Sequence, residues 1–174
     1  MSTRDLFPEV APAKNAREPW TPKQYKVVCL RECPTDAQIC DTPAKVAEYY
    51  QSAIITDPRW NPDTETLVVI MLNARRRVIG HHVVSNGLVD SLLVHPREVF
   101  RAAIIANAYS IVMLHNHPSG DSTPSEPDIR ASRDMIRAGQ LLKIEVCDSM
   151  VFGRVSPENP RGWHSLRELG YFYT

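Results

Sequence analysis

The chain has 174 residues, 43% of them hydrophobic, which suits one globular domain with a real core. Lys plus Arg total 20 and Asp plus Glu total 20, so no global field draws the protein toward nucleic acid or an anionic membrane, and any nucleic-acid contact has to be local. Cys29, Cys33, Cys40 and Cys147 form no C-x-x-C pair and are few for a disulfide scaffold, so they read as reduced thiols of a cytoplasmic protein.

The opening segment MSTRDLFPEVAP lacks the apolar core of a secretory signal, and export is not expected. Residues 1–24, with Pro8, Pro12, Pro19 and Pro22 among polar residues, read as a flexible tail, and the domain is expected over 25–174. YKVVCLR (25–31) is rich in β-formers. Thr42-Pro43 offers an N-cap and a first-turn proline for a helix over AKVAEYYQSAI, and TDPRWNPDT (56–64) is turn material.

LVVIML (67–72) is a continuous apolar run of strand length, the pattern of a strand covered on both faces. Residues 73–77 read as a basic turn, and VIGHHVVS (78–85) as the returning strand of a hairpin that Gly87 ends. A short strand is expected at SLLV (91–94), then a helix opened by Pro96 with Val99, Ala103 and Ala106 on one face. The longest stretch without charges, 102–116, is shorter than the roughly 20 residues that span a bilayer, so no membrane anchor is expected.

SIVMLHNH (110–117) is a further apolar strand, and PSGDSTPS a loop dense in turn residues. A helix resumes at Ser125, with Gly139 as a candidate end. KIEVC and MVFGRV read as the last strands and SLRELG as a short terminal helix. Strands mixed with three helices imply a layered α/β domain whose sheet is partly antiparallel.

A strand puts residues i and i+2 on one face, so His115 and His117 project side by side from the end of a buried strand. Asp128 falls in the first turn of the next helix, after a loop able to reverse the chain, so its carboxylate can swing back as a third ligand. Two histidines and a carboxylate with one open position is the ligand arithmetic of a catalytic zinc site. Each piece also has a plainer reading. An H-x-H pair at a strand end is often only solvated, and Ser125-Glu126-Pro127-Asp128 matches a capping box. The joint pattern H-x-H-x(7)-S-x-x-D in one strand, loop and helix favours the metal.

VHPREVF, HNHPSGDSTPSEPD and LVVIMLNARRRVI resemble the RadC group of the JAMM, or MPN-type, metalloprotease-like JAB domains, over about residues 60–170. The resemblance implies a cytidine-deaminase-like layered fold, a mixed sheet flanked by helices, and zinc held by His115, His117 and Asp128. It implies that the Ser125 hydroxyl hydrogen-bonds the oxyanion formed on an amide carbonyl. Family enzymes place a glutamate ahead of the first core strand, where this chain has Glu65, the candidate general base. His82 is the runner-up, in a hairpin strand where many relatives carry an acidic residue. Glu98 reads as support for the start of its helix rather than a catalytic group.

The chain also departs from the family. Asp148-Ser149 stands where the family usually has Asp-His, and the residues ahead of 25 cannot hold the helix-hairpin-helix region of many RadC proteins, which weakens any expectation of DNA binding. Arg75, Arg76 and Arg77 are the densest basic cluster and read as a solvated hairpin edge rather than a phosphate site. No nucleic-acid-binding residue is assigned. The leading expectation is a zinc hydrolase acting on a peptide or isopeptide amide in a peptide or protein substrate. The alternatives are a metal-containing non-catalytic module in a DNA repair or mobile-element pathway and, by ligand count, a non-haem iron oxygenase.

Overall fold

The computed structural model describes residues 38–57, 60–87 and 95–172. Among them, α1 (Pro43–Tyr49) continues as a π-helical turn over Tyr50–Ile54 and leads to the hairpin of β1 (Thr66–Leu72) and β2 (Val78–Asn86). Then follow α2 (Pro96–Ile105), β3 (Ser110–Asn116), α3 (Glu126–Leu142), β4 (Glu145–Phe152) and the short β5 (Trp163–Ser165). The five strands form one mixed sheet in the order β2-β1-β3-β4-β5, antiparallel except for the parallel pair β3/β4. This is the layered α/β architecture of JAB/MPN-type domains, as the resemblance implies. The tail and the expected strands at 25–31 and 91–94 lie outside the described residues.

The apolar runs of β1 and β3 are buried along nearly their whole length because the two faces of the sheet feed different cores. Val68, Ile70, Leu72, Val112 and Leu114 point to α1 and meet Val46, Tyr49, Ala53 and Ile54. The alternate residues Val69, Met71, Ile111 and Met113 point the other way, to Val99, Phe100 and Ala103 of α2 and Met135 of α3. The π-helical turn sets Tyr50 in the first core, stacked on Phe152 with ring centroids 3.9 Å apart. Helix starts follow the sequence signals: Thr42 caps α1, and α2 opens at Pro96 with His95 Nδ1 accepting from Arg97 N.

Four expectations need correction. Gly139 does not end α3, which runs on to Leu142 and closes at Lys143 in the left-handed region. A Cβ at Gly139 would sit 2.5 Å from the Ile144 carbonyl oxygen, so the glycine admits the chain reversal into β4. KIEVC and MVFGRV are not two strands, since residues 145–152 form one. In the segment 165–170, Ser165 closes β5 and 166–170 is a series of turns, with the Ser165 hydroxyl donating to Asp148 and Leu166 N donating to Ser149 O instead of entering a helix. Finally, Arg76 is not a solvated edge residue: it reaches across the sheet to Ser110 Oγ (2.9 Å), Glu145 (2.9 Å) and Cys147 Sγ, tying the hairpin turn to β3 and β4.

Candidate metal centre

His115 lies in the last turn of the β3 ladder, and His117 extends it by donating N–H to Phe152 O at 2.8 Å. Both side chains face α3. The first turn of α3 is pressed onto the sheet by Ile129, which packs with Val151 and Leu166, and this brings Asp128 to the two imidazoles. His115 Nε2 and His117 Nε2 are 3.1 Å apart, His115 Nε2 is 3.3 Å from Asp128 Oδ1, and His117 Nε2 is 3.5 Å from Asp128 Oδ2. Ligands held about 2.0–2.1 Å from a tetrahedral zinc stand about 3.3 Å from one another, so the donor set and its spacing fit that ion. Among the described residues this is the one group of three such side chains gathered closely enough to share an ion.

Second contacts fix the donors. His117 Nδ1–H donates to the Asp121 carbonyl at 2.7 Å, so in the neutral ring the Nε2 lone pair faces the cluster, and in the protonated ring Nε2–H faces Asp128. Asp128 Oδ2 accepts from Ser125 N at 2.7 Å and Ser125 Oγ at 2.5 Å, while Asp128 N donates to Ser125 Oγ at 3.3 Å. The capping box is therefore present, and so is the cluster. The helix cap and the approach to two imidazoles thus fall on one carboxylate. Burial pushes the Asp128 carboxyl up, but hydrogen bonds from His115, His117 and Ser125 overcome it and hold the group far below the usual carboxylate range. The hydrogen bond to Asp128 raises the His117 pKa against the pull of burial, helped by the Asp121 carbonyl and the charges of Asp128 and Glu65.

Glu65 stands just ahead of β1, two residues before the last β1/β3 pair, Leu67↔His115, and its charge is among those that raise the His117 pKa. A residue that the sequence reading passed over secures this segment. Asn116 points to the opposite face, where its Oδ1 accepts from Thr66 N at 3.0 Å and its Nδ2 donates to Thr64 O at 3.0 Å and Pro62 O at 3.4 Å. The middle residue of His-Asn-His thus holds the backbone on both sides of Glu65, and Gly87 N holds the Glu65 carbonyl at 2.9 Å. Nothing in the sequence marks this role, because the partners of Asn116 lie 50 or more residues away and come near only when β1 lies beside β3.

His82 is not brought to the cluster. It pairs with Val69, a row short of Leu67 and His115, and its electrostatic neighbours are Arg101 and Glu98 of α2. Glu98 stays in the first turn of α2, paired with Arg101 at 3.2 Å. Ser149, where the resemblance expects histidine, accepts from Ser132 Oγ at 2.9 Å one helical turn behind Asp128, and Asp148 is spent on Ser165 and the 167 amide.

A three-layer α/β domain with two histidines and a carboxylate at the end of a central strand defines the class as JAB/MPN-type. Residues 40–171 match the family described as RadC-like JAB domain, and the chain belongs to it. It is 36% identical over 136 residues to a UPF0758 protein of Thermosynechococcus vestitus, covering 78% of this chain and 50% of the relative. It is 37% identical over 130 residues to one of Thermotoga maritima, with 75% and 53% covered, and 44% identical over 106 residues to one of Symbiobacterium thermophilum, with 61% and 43% covered. The chain thus spans about half the length of the curated relatives it matches. No helix among the described residues is long and apolar enough to cross a membrane.

Proposed function

We propose that the protein is a zinc-dependent amide hydrolase acting on a peptide or isopeptide bond, with His115, His117 and Asp128 as the metal ligands. The observation that carries this reading is the gathering of three ligand side chains, with the two imidazole Nε2 atoms and the two Asp128 carboxylate oxygens 3.1–3.5 Å apart, in a chain of the RadC-like JAB domain family. Zinc, when bound, supplies Lewis acidity toward a carbonyl and a water of lowered pKa. Glu65 accepts a proton from the attacking water and returns it to the leaving amine nitrogen. What supports this role is that the Asn116 side chain holds the backbone on both sides of Glu65 and that the Glu65 charge acts on His117. Ser125 stands exposed at the rim, and its hydroxyl turns from Asp128 Oδ2 to donate to the oxygen that gains charge as the amide carbonyl is attacked.

The test is metal analysis of the purified protein joined to cleavage assays on peptide and isopeptide libraries. Wild type is expected to hold zinc and cleave. Glu65→Gln should retain zinc and lose about 10²–10⁴-fold in kcat, whereas His115→Ala should lose both. Native iron would remove the hydrolase reading. A salt-dependent duplex affinity persisting in His115→Ala, with no cleavage of any library, would replace it with the non-catalytic module.

A further inference from the structure

The loop 118–124 between the two histidines and Asp128 carries an exposed residue, Asp121, whose carbonyl nonetheless sets the ring of His117. The Asp121 side chain is turned to its own loop, with Oδ1 accepting from Thr123 N at 2.9 Å, and gives the carbonyl no hold on the body of the protein. The anchoring comes from its two neighbours. On one side the Gly120 carbonyl accepts from Arg154 N at 2.7 Å, beside Gly153, where a Cβ would fall 2.3 Å from that carbonyl oxygen. On the other side Ser122, 3% exposed, is seized by side chains from a distant part of the chain. His164 Nδ1 on β5 lies 2.9 Å from the Ser122 carbonyl oxygen and 3.0 Å from its Oγ, and Asn159 Nδ2 donates to the same Oγ at 2.7 Å.

A carbonyl oxygen only accepts, so the 2.9 Å contact requires that His164 Nδ1 carry the proton and donate. The Ser122 main chain is then fixed at its carbonyl and at its side chain. The Asp121 carbonyl belongs to the peptide plane between Asp121 and Ser122, so with the Gly120 carbonyl bonded on one side and Ser122 held on the other, the orientation of that acceptor is restricted from both ends. From these contacts we infer that His164 is a positioning residue of the metal centre: acting through Ser122 and the Asp121 carbonyl, it holds His117 with Nε2 turned to the ion. The inference rests on the metal reading above only for its consequence on zinc; the anchoring of the loop stands without it.

The test compares wild type with His164→Ala and His164→Asn, since an Asn amide nitrogen takes the place of Nδ1 as donor. Three quantities are read: zinc dissociation constant by chelator competition, the visible spectrum of the cobalt(II)-substituted protein, and hydrogen exchange of the 118–124 segment in metal-free protein. His164→Ala is expected to weaken zinc about tenfold, at the lower end for outer partners of metal ligands. It should also shift the cobalt bands and speed exchange of the segment, with His164→Asn restoring all three. Wild-type affinity and an unshifted spectrum in His164→Ala would overturn the inference. So would a loss that Asn does not restore, which would mark His164 as packing alone. If wild type takes no zinc, the metal reading fails separately, and metal-free exchange still decides: a segment no faster in His164→Ala sinks the anchoring role.

Discussion

Asp128 closes a helix cap and faces two imidazoles with the same carboxylate, and this double engagement explains why its sequence surroundings fit a capping box as well as the favoured metal ligand. Capping needs Ser125 and Asp128 three apart; ligation needs the helix to start against the end of β3. The first condition is written in four residues, while the second depends on Ile129 packing on Val151 and Leu166, far apart in the chain. His82 shows the converse. Its histidine was legible, its surroundings were not, and the register places it with Arg101 and Glu98. Burial, helped by Arg101 and opposed by Glu98, lowers its pKa below the ordinary 6.5, and its Nε2 is buried without a hydrogen-bond partner. The unfolded chain therefore binds the proton more readily, so this residue costs stability as pH falls through about 6.5 toward the folded value, and costs none of it above. His82→Leu should raise the thermal midpoint more at pH 5.5 than at pH 8, and an equal gain at both pH values would refute the assignment.

At the scale of elements, the long apolar strands and the proline-started helices were readable because each carries its own signal: unbroken apolar runs for β1 and β3, Thr42-Pro43 and Pro96 for α1 and α2. What escaped was decided by neighbours. Gly139 looks like a stop, yet a side chain there would strike the Ile144 carbonyl and Phe100, so it is a packing glycine inside α3. Gly139→Ala is accordingly expected to destabilise by about 1–3 kcal/mol through overpacking, measured by urea unfolding; a neutral change would show that the reversal into β4 yields freely. Asn116 depends on pairing between β1 and β3 in the same way. Asn116→Ala leaves the Thr66 amide without its buried acceptor, and a loss of about 1–3 kcal/mol is expected. The same variant should keep zinc while lowering turnover. Zinc loss in this variant, with β3 intact, would contradict the separate clamp on Glu65.

For the whole molecule, the alternation of β1 and β3 between two cores yields a rigid sheet whose one end presents the cluster, an arrangement in which ligand binding and folding are linked. Zinc at a hundred times its dissociation constant should add about 2.7 kcal/mol to stability, which corresponds to roughly 5–10 °C in Tm for a chain of this size. EDTA dialysis should reverse the gain, and His115→Ala should show none; an equal gain in that variant would move the ion elsewhere.

The clamp described for Asn116 has a further consequence. The three candidate ligands fall within the unit of β3, its loop and the start of α3, whereas Glu65 stands just ahead of β1, with the backbone around it held by the Asn116 amide and by Gly87 N. On the proposed reading, ion capture and proton transfer would thus be inherited through different parts of the chain. A descendant that kept the His-Asn-His unit but let β1 slip by one residue would carry Glu65 out of its place. It would retain its metal and lose its chemistry, so a hydrolase of this fold can become a metal-holding scaffold without any change to its ligands.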